Sequence, residues 1–371
     1  MIVLIPAYKP THSLVCLCQK LLARRSGVDT GLEILVVDDG SGAEFTAIFK
    51  AVRALGADVQ VMHLPVNAGK GAALRAGLSW CFENRPGHCL ITADADGQHL
   101  PADVIAVGIA TEIRARAQAS ALVLGVRTVD ELKAPLNLKV PLRSRFGNTI
   151  TVGFFTLATG KKVVDTQTGL RGLTPDILHW ALGIPGDRYD YEFNMLLRAV
   201  RATVSIEQVP ITRVYEPGNP TSHFQPVRDS LRIYAPLLLF FLASILGFLV
   251  DTLALLMFSR MIPLLAAVFL ARITSGLVNY GINRWAVAGQ GKVLPHGRAL
   301  TRYTLLAGGL LLLNAGLLEL LSLAGINLLL AKLLVELALV PVSFAAQHRW
   351  VFRGKKQNVA QQLAHTQELA A

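Results

Sequence analysis

The chain has 371 residues, of which 52% are hydrophobic and 16% charged, and its formal net charge is +11 at pH 7. This length exceeds that of a usual single domain, and the apolar residues concentrate after about residue 231, so the composition predicts two unlike parts. No RNA-binding or helix-turn-helix signature accompanies the basic residues, which argues against nucleic acid as a partner and leaves an anionic membrane surface.

Strand-like and helical runs alternate through the first part of the chain. The predicted strands cover residues 2–5, 33–37, 59–63, 89–92 and 121–124, and the predicted helices between them include 13–24, 43–55 and 70–83. This alternation predicts an α/β domain with a mainly parallel sheet and helices on both faces. Ligands of such sheets bind beyond the carboxyl ends of the strands, where the polar motifs of this chain fall.

Polar residues follow the first two predicted strands. Tyr8 comes after the first strand and could flank a nucleotide base, while Asp38 and Asp39 come after the second strand and could bind ribose hydroxyls or a base N–H. The alternative is that residues 38–42 form only a polar turn before a helix, which these residue types favour.

A glycine-rich segment opens the helix after the third predicted strand. Gly69, Lys70 and Gly71 lie where free backbone N–H groups and the helix dipole would suit an anion. The segment lacks the spacing of a P-loop, so an ordinary glycine-rich helix start remains the alternative.

The most informative motif follows the fourth predicted strand and reads Asp94-Ala95-Asp96-Gly97-Gln98-His99. Carboxylates at i and i+2 share one side of an extended backbone and could hold Mg²⁺ or Mn²⁺ against a diphosphate. Gln98 could supply a third oxygen. His99 is expected to be a packed loop residue, because these ions prefer oxygen ligands.

The second part of the chain contains four apolar stretches, at about 234–258, 262–287, 302–323 and 326–347, each near the ~20 residues that span a bilayer. Basic residues cluster before the first stretch, between the second and third, and after the fourth. The positive-inside rule therefore places these segments, the first part of the chain and the C-terminus in the cytosol. Polar residues within the stretches are expected to pair between helices, and a role in moving a lipid-linked sugar is the alternative.

A segment at about 139–160 mixes the basic residues Arg143 and Arg145 with apolar side chains. It predicts an amphipathic helix lying on the membrane, with a core-facing helix as the alternative. The four cysteines lack metal-site spacing, so reduced thiols without a disulfide are expected. The predicted organisation is a catalytic domain at 1–230, a membrane domain at 231–356 and a polar tail at 357–371.

The ordered set of motifs resembles the family-2 glycosyltransferases, and more narrowly the polyprenyl-phosphate glycosyltransferases, which include dolichyl-phosphate mannosyltransferase and bactoprenol glucosyltransferases. From about residue 231 the chain is similar to GtrA-like four-helix membrane domains. The motifs that carry the resemblance are Pro6-Ala7-Tyr8, residues 36–41, Gly69-Lys70-Gly71, residues 94–99, Gly125-Val126-Arg127 and residues 165–172.

The resemblance implies a GT-A type nucleotide-binding fold and a set of site residues. The residues that it matches to nucleotide-sugar contacts are Pro6, Ala7, Tyr8, Asp39, Asp94, Ala95 and Asp96, with Asp38 and Lys70 as further candidates. Asp94, Asp96 and Gln98 match the metal motif. Asp96 and Arg127 are the expected catalytic residues, and Arg127, Arg143 and Arg145 match the groups that hold the acceptor phosphate.

The chain departs from dolichyl-phosphate mannosyltransferases after residue 211, where His223 stands near the position of a phosphate-binding lysine. The mannose assignment is therefore not carried over, and the donor stays open between UDP- and GDP-sugars. A phosphate acceptor is already largely ionised near neutral pH, so it needs no general base. Asp190 and Glu192 are accordingly expected to have structural roles.

The expected protein is a multi-pass glycosyltransferase of a bacterial inner membrane that transfers a sugar to polyprenyl phosphate. The resemblance implies that the configuration at the anomeric carbon is inverted. The alternatives are a glycosyltransferase with a hydroxyl acceptor, for which Asp190 or Glu192 would be the base, and a translocation protein without turnover. The expected partners are the donor, polyprenyl phosphate and the bilayer, and a homo-oligomer is left open.

Overall fold

The computed structural model describes residues 1–24, 31–127, 142–202, 204–212, 226–288 and 294–352. The chain divides into two compact units, which we call the α/β unit and the helical unit. The α/β unit comprises the described residues of 1–152 and 162–233, and the helical unit those of 153–161 and 234–355. Residues 153–161 cluster with the helical unit although they fall within the predicted catalytic domain at 1–230, whose bounds stay a prediction.

Seven strands form the sheet of the α/β unit. They are β1 (Ile2–Ala7), β2 (Glu33–Asp38), β3 (Val59–His63), β4 (Leu90–Thr92), β5 (Ala121–Arg127), β6 (Arg171–Leu173) and β7 (Ser205–Ile211). The strand order is β3-β2-β1-β4-β6-β5-β7. All pairings are parallel except those of β6, which runs antiparallel to both β4 and β5. The predicted mainly parallel sheet is confirmed.

Seven helices accompany the sheet. They are α1 (His12–Leu22), α2 (Thr46–Arg53), α3 (Lys70–Asn84), α4 (Pro101–Arg116), α5 (Leu142–Thr159), α6 (Leu178–Leu182) and α7 (Asp190–Arg201). Local sequence explains several helix starts. Thr11 caps α1 by accepting a hydrogen bond from the Ser13 N–H, and Pro101 opens α4 with a pre-set φ.

Helices cover both faces of the sheet. Every residue of β1 is buried, as expected for a parallel strand covered on both sides. Val3 and Ile5 pack in one core with residues of α1, α2 and α4. Leu4 points to the opposite face, where its side chain fills the space that a Cβ at Gly77 of α3 would need. The small residue thus lets α3 approach the sheet closely.

The helical unit contains α8 (Pro226–Phe258, from residue 234 on), α9 (Leu264–Ala288), α10 (His296–Leu323) and α11 (Leu328–Ala346), followed by a π-helical turn at Gln347–Val351. Each of the four predicted stretches overlaps one of these helices, although α10 begins six residues before the predicted 302. Within the described residues, two segments are long and apolar enough to cross a membrane, Leu238–Phe258 and His296–Leu323.

The surface of the helical unit is apolar. Phe248, Leu312 and Leu323 are 69%, 75% and 82% exposed. Such extensive exposure of large apolar side chains is expected where the surrounding solvent is lipid rather than water. Polar residues of the predicted spans pair between helices. Asn279 Oδ1 of α9 accepts a hydrogen bond from Tyr303 OH of α10 at 3.0 Å.

The C-terminal part of α5 packs within the helical unit. Phe155 is fully buried, and the Phe154 ring lies 5.5 Å from that of Phe344 on α11, centroid to centroid. This part of the predicted amphipathic segment is therefore covered by protein, which agrees with the core-facing alternative. The first part of the segment, 139–141, lies outside the described residues.

Candidate active site

Most of the predicted site residues gather at the carboxyl ends of β1, β2, β4 and β5. They line a cleft of about 470 Å³ within the α/β unit. The cleft is lined by Pro6, Ala7, Tyr8, Lys9, Pro10, Thr11, Asp39, Asn67, Gly69, Lys70, Asp94, Ala95, Asp96, Gln98, Arg127, Gln167, Arg188, Tyr189 and Glu192. A larger cavity of about 540 Å³ lies around Cys89 and Glu112 and contains none of these residues. We place the site in the smaller cleft because the motifs meet there.

Asp39 is held by the glycine-rich segment. Its carboxylate accepts hydrogen bonds from the backbone N–H groups of Ala68 at 2.8 Å and Gly69 at 2.9 Å, and from Asn67 Nδ2 at 3.1 Å. Burial raises the pKa of Asp39, although the two backbone hydrogen bonds act in the opposite direction. Asp39 lies in the cleft, but much of its hydrogen-bonding capacity serves the start of α3.

Several N–H groups at this helix start are used within the protein itself. The Ala72 N–H donates to the carbonyl oxygen of Asp187 at 3.0 Å, and the Gly69 N–H donates to the Asp39 carboxylate. Gly69 has φ +104°, and a Cβ there would clash with the Asp187 carbonyl. The glycines therefore make room for a protein loop, and Lys70 brings a positive charge from this segment into the cleft.

Asp38 lies outside the cleft lining. Its Oδ1 accepts from the Ser41 N–H at 2.9 Å, and its Oδ2 lies 2.9 Å from His63 Nδ1. Ser41 Oγ in turn accepts from the Lys9 N–H at 2.8 Å, and Lys9 has the unusual φ of +49°. This geometry matches the turn alternative for Asp38 and links it to the loop that carries Tyr8.

Asp94 forms the centre of a charged network. Lys70 Nζ lies 2.6 Å from Asp94 Oδ1 and 3.0 Å from Glu192 Oε1, and His99 Nε2 lies 3.2 Å from Asp94 Oδ2. Burial acts against the charge of Lys70, but Asp94 and Glu192 outweigh it and raise the pKa of Lys70. Burial likewise opposes the charge of Asp94, but Lys70 and His99 hold its pKa well below the ordinary range.

Asp96 has fewer partners than Asp94. Its Oδ1 accepts from the Gln98 N–H at 3.0 Å. Burial and then the charge of Asp94 raise the pKa of Asp96. Asp96 is therefore a carboxylate whose ionised form would gain from a nearby cation.

The donor set fits a magnesium or manganese ion that is shared with a substrate. Among the described residues, no group of three His, Cys, Asp or Glu side chains is arranged to hold a metal ion. Mg²⁺ usually keeps several waters and binds through one or two carboxylates plus substrate phosphates. Asp96 and the Gln98 amide could supply protein oxygens to such an ion, whereas both oxygens of Asp94 already face Lys70 and His99.

Arg127 enters the cleft from the end of β5 and is held by Asp165. Its Nε and Nη2 donate to the two Asp165 oxygens at 2.6 and 3.2 Å. Burial disfavours both charges, but each partner outweighs it, so the pKa of Asp165 is lowered and that of Arg127 raised. The Gln167 N–H also donates to Asp165 at 3.0 Å. The guanidinium is thus fixed before any ligand arrives.

The loop after Asp165 packs directly behind the acidic motif. Thr168 Oγ1 donates to the carbonyl oxygen of Gly125, and Thr92 Oγ1 donates to that of Gly169 at 2.7 Å. A Cβ at Gly169 would clash with the Asp94 carboxylate. The resemblance included residues 165–172 as a family motif, and the structure shows why a glycine is needed there.

Arg188 and Tyr189 are not among the predicted site residues, and Glu192 is expected from the sequence to be structural, with a base role only under the hydroxyl-acceptor alternative. All three line the cleft because Arg75 holds the preceding loop, donating to the Asp187 carboxylate at 3.2 Å and to the carbonyl oxygen of Gly186. The paired glycines at 69 and 71, which make room for this loop, are the signal that could have located it.

Arg143 and Arg145 lie on α5, and their side chains fall outside the part of the chain that the structure describes. Their predicted contact with the acceptor phosphate stays a prediction. The residues around His223 are likewise outside the described ranges.

Two family models match the chain. The model described as "Glycosyl transferase family 2" matches residues 2–129, and that described as "GtrA/DPMS, transmembrane domain" matches residues 239–352. Neither model matches residues 130–238, which contribute Gln167, Arg188 and Glu192 to the cleft and supply Asp165, the partner of Arg127.

The similar curated proteins include three from archaea and bacteria. An uncharacterized protein of Methanocaldococcus jannaschii is 33% identical over 49% of this chain and 70% of its own length. The UDP-N-acetylglucosamine–dolichyl-phosphate N-acetylglucosaminyltransferase of Methanococcus voltae is 29% identical over 49% of this chain and 74% of its own. The undecaprenyl-phosphate 4-deoxy-4-formamido-L-arabinose transferase of Sodalis glossinidius is 33% identical, over only 28% of this chain and 30% of its own length.

Proposed function

Because this chain belongs to glycosyl transferase family 2 and carries a C-terminal GtrA/DPMS transmembrane domain, we propose that it transfers one sugar from a UDP- or GDP-sugar to polyprenyl phosphate. The acceptor class is supported by relatives whose names specify dolichyl or undecaprenyl phosphate. The two candidate spans and the apolar surface of the helical unit support a reaction at the membrane.

One observation supports the proposal most: Asp94, Asp96 and Arg127, which Asp165 holds in place, line the same cleft. Carboxylates suited to a cation and an immobilised guanidinium suited to a phosphate are the two groups that a reaction between two phosphates needs. Since each phosphate is anionic, cationic groups must offset their mutual repulsion for the acceptor to approach.

A divalent ion, Mg²⁺ or Mn²⁺, would be held by Asp96 and Gln98 with Asp94 beside them, and would supply positive charge to the departing nucleoside diphosphate. The protein groups do the remaining work. Arg127 would orient the acceptor phosphate through two parallel N–H groups, and Lys70 would add charge beside the diphosphate. Positioning of this kind is a major source of rate when little bond activation is needed.

No general base is required for a phosphate acceptor, because its second pKa is about 6 and an oxygen is already ionised near neutral pH. Glu192, the base expected for the rival hydroxyl acceptor, is in the cleft, but its Oε1 is 3.0 Å from Lys70 Nζ. A hydroxyl acceptor would therefore have to compete with the Lys70 ammonium for this carboxylate oxygen. The contact favours the phosphate acceptor over the hydroxyl acceptor.

The distribution of basic residues supports a topology with the α/β unit and the C-terminus in the cytosol. A nucleotide-sugar donor made in the cytosol would then reach the cleft directly. Cysteine accessibility in inside-out and right-side-out vesicles would test this orientation.

The function is tested by incubating the purified full-length protein in detergent with Mn²⁺, undecaprenyl or dolichyl phosphate, and a panel of UDP- and GDP-sugars. Mass spectrometry of the lipid fraction should show one added sugar with one donor, and none with EDTA. A product only with hydroxyl-bearing glycolipids would replace the proposed acceptor. Persistence of biological activity in Asp96→Asn would support the translocation alternative instead.

A further inference from the structure

The cleft contains a buried ion pair, Lys70 with Glu192, whose carboxylate the proposed transfer does not use. The two side chains are 17% and 8% exposed, and their charged atoms are 3.0 Å apart. Replacing a buried ion pair by apolar residues is often neutral or stabilising. Stability alone is therefore a weak reason for these charges to face a ligand cleft.

Glu192 is held in position from behind. Arg171, which is 1% exposed, donates from Nη1 to the Glu192 carbonyl oxygen and from Nε to that of Thr168 at 3.0 Å. The adjacent Tyr191 donates its OH to the Ala181 carbonyl oxygen at 2.8 Å. The backbone at Glu192 is thus fixed on both sides, which is the supporting arrangement that a recognition group requires.

The location of the pair relates it to the donor. Lys70 Nζ also lies 2.6 Å from Asp94 Oδ1, so the Lys70–Glu192 pair directly contacts the motif that is expected to bind near the diphosphate. A carboxylate accepts hydrogen bonds and an ammonium donates them. Neighbouring hydroxyls of a sugar ring, which can each donate and accept, complement this pair in both respects.

We propose that Glu192 and Lys70 bind neighbouring hydroxyls of the transferred sugar and thereby select the donor sugar. This inference rests on the proposed function, because it takes the cleft to bind a nucleotide-sugar. It assigns Glu192 a role in sugar recognition in place of a structural or base role. The ligand class is a nucleoside-diphosphate sugar with adjacent free hydroxyls.

The binding test uses the full-length protein in detergent with Mn²⁺ and isothermal calorimetry. The probes are UDP, GDP, UDP-glucose, UDP-N-acetylglucosamine and GDP-mannose, followed by deoxy analogues of the tightest sugar. Glu192→Gln should weaken binding of that nucleotide-sugar about 10-fold or more, because it removes a hydrogen bond to a charged group. The affinity for the nucleoside diphosphate should change less than about 2-fold. Glu83→Gln, on the exposed side of α3, is the matched control and should change neither.

Deoxy analogues of the donor provide a second test, in which the wild type is compared with Glu192→Gln. A deoxy donor that lacks the hydroxyl bound by Glu192 should bind the wild type about 10-fold more weakly than the parent donor does. The Glu192→Gln variant should bind the deoxy donor and the parent donor almost equally. If all deoxy analogues bind within about 2-fold of the parent, or no nucleotide-sugar binds more tightly than its nucleoside diphosphate, the inference is overturned.

Two other outcomes also overturn it. Equal weakening of nucleotide-sugar and nucleoside diphosphate by Glu192→Gln would indicate a general structural role. Unchanged binding with kcat reduced about 1000-fold would indicate a base. Transfer to polyprenyl phosphate is measured separately on the wild type, so loss of that acceptor with intact sugar discrimination would refute the proposed function alone.

Discussion

Replacing Asp165 by asparagine should loosen Arg127 without changing the shape of the site. The asparagine Oδ1 can still accept from the Gln167 N–H and from Arg127 Nη2, but the NH₂ group would replace the oxygen to which Arg127 Nε now donates at 2.6 Å, so two donors would face each other there. Asp94 and Asp96, whose charges already act on Arg127, would then draw the guanidinium toward the metal motif.

The magnitude follows from burial. Removing one partner of a buried ion pair costs about 3–5 kcal/mol. Asp165 is 4% exposed but Arg127 is 31% exposed, so solvent screening reduces the expected cost to about 2 kcal/mol. If that cost appears in catalysis, kcat/KM for polyprenyl phosphate falls about 30-fold, since 1.4 kcal/mol is a factor of ten.

The assay is the initial rate of sugar-lipid formation, with polyprenyl phosphate varied at saturating donor and then the reverse. We expect kcat/KM for the acceptor to fall while the KM for the donor changes less than about 2-fold. Arg127→Lys should lower kcat/KM for the acceptor further than Asp165→Asn does, because an ammonium cannot make the bidentate contact. Glu83→Gln serves as the control.

The reasoning is refuted if Asp165→Asn keeps the wild-type kcat/KM while Arg127→Lys is impaired, because Asp165 would then not position Arg127. An equal rise in the KM for the donor would also contradict it. In that case Arg127 would act on the donor diphosphate rather than on the acceptor.

Other substitutions test separate parts of the structure. Asp96→Asn should lower kcat more than about 100-fold and abolish saturation by Mn²⁺ in a metal titration, because it removes the available carboxylate of the motif. Gly69→Ala should lower the thermal midpoint of the full-length protein, since its φ of +104° and the Asp187 carbonyl both exclude a Cβ; an unchanged midpoint would show that the loop yields easily. The pKa of Asp165 is lowered in the folded protein, so its ionised form stabilises the fold above the unfolded pKa of about 3.9, and this stabilisation is lost as pH falls through the folded pKa. The thermal midpoint of Asp165→Asn should therefore fall less steeply than that of the wild type below about pH 4. The Cys18 thiol, whose pKa burial raises to about 12, should resist maleimide at pH 8 until the protein unfolds, as mass spectrometry of single-cysteine variants can show.

Much of the α/β unit follows from regular patterns in the sequence. The five predicted strands match β1 to β5 within about three residues at each end, because buried parallel strands are continuous apolar runs bounded by turn residues. The placement of Asp94 and Asp96 also follows, since the motif comes directly after such a run.

The strands β6 and β7 and the far wall of the cleft do not follow from local sequence. Strand β6 has three residues, begins with the buried Arg171 and is defined by its neighbours in the sheet. The pairs Arg127–Asp165 and Lys70–Glu192 join residues 38 and 122 positions apart, and nothing local indicates such partners. The same tertiary contacts explain why Asp38 lies in a turn and Asp39 lies in the cleft.

The position of β6 also constrains when the cleft can form during synthesis of the protein. Residues 171–173 lie between β4 and β5, so these two strands lack their shared neighbour while only the first 129 residues, those matched by the glycosyl transferase family 2 model, have been made. Glu192 arrives later still. A ribosome must therefore translate about half of the 371 codons before the sheet can close, and the hydrophobic helices follow it out of the exit tunnel. The catalytic half thus has the opportunity to fold before the chain is committed to the bilayer.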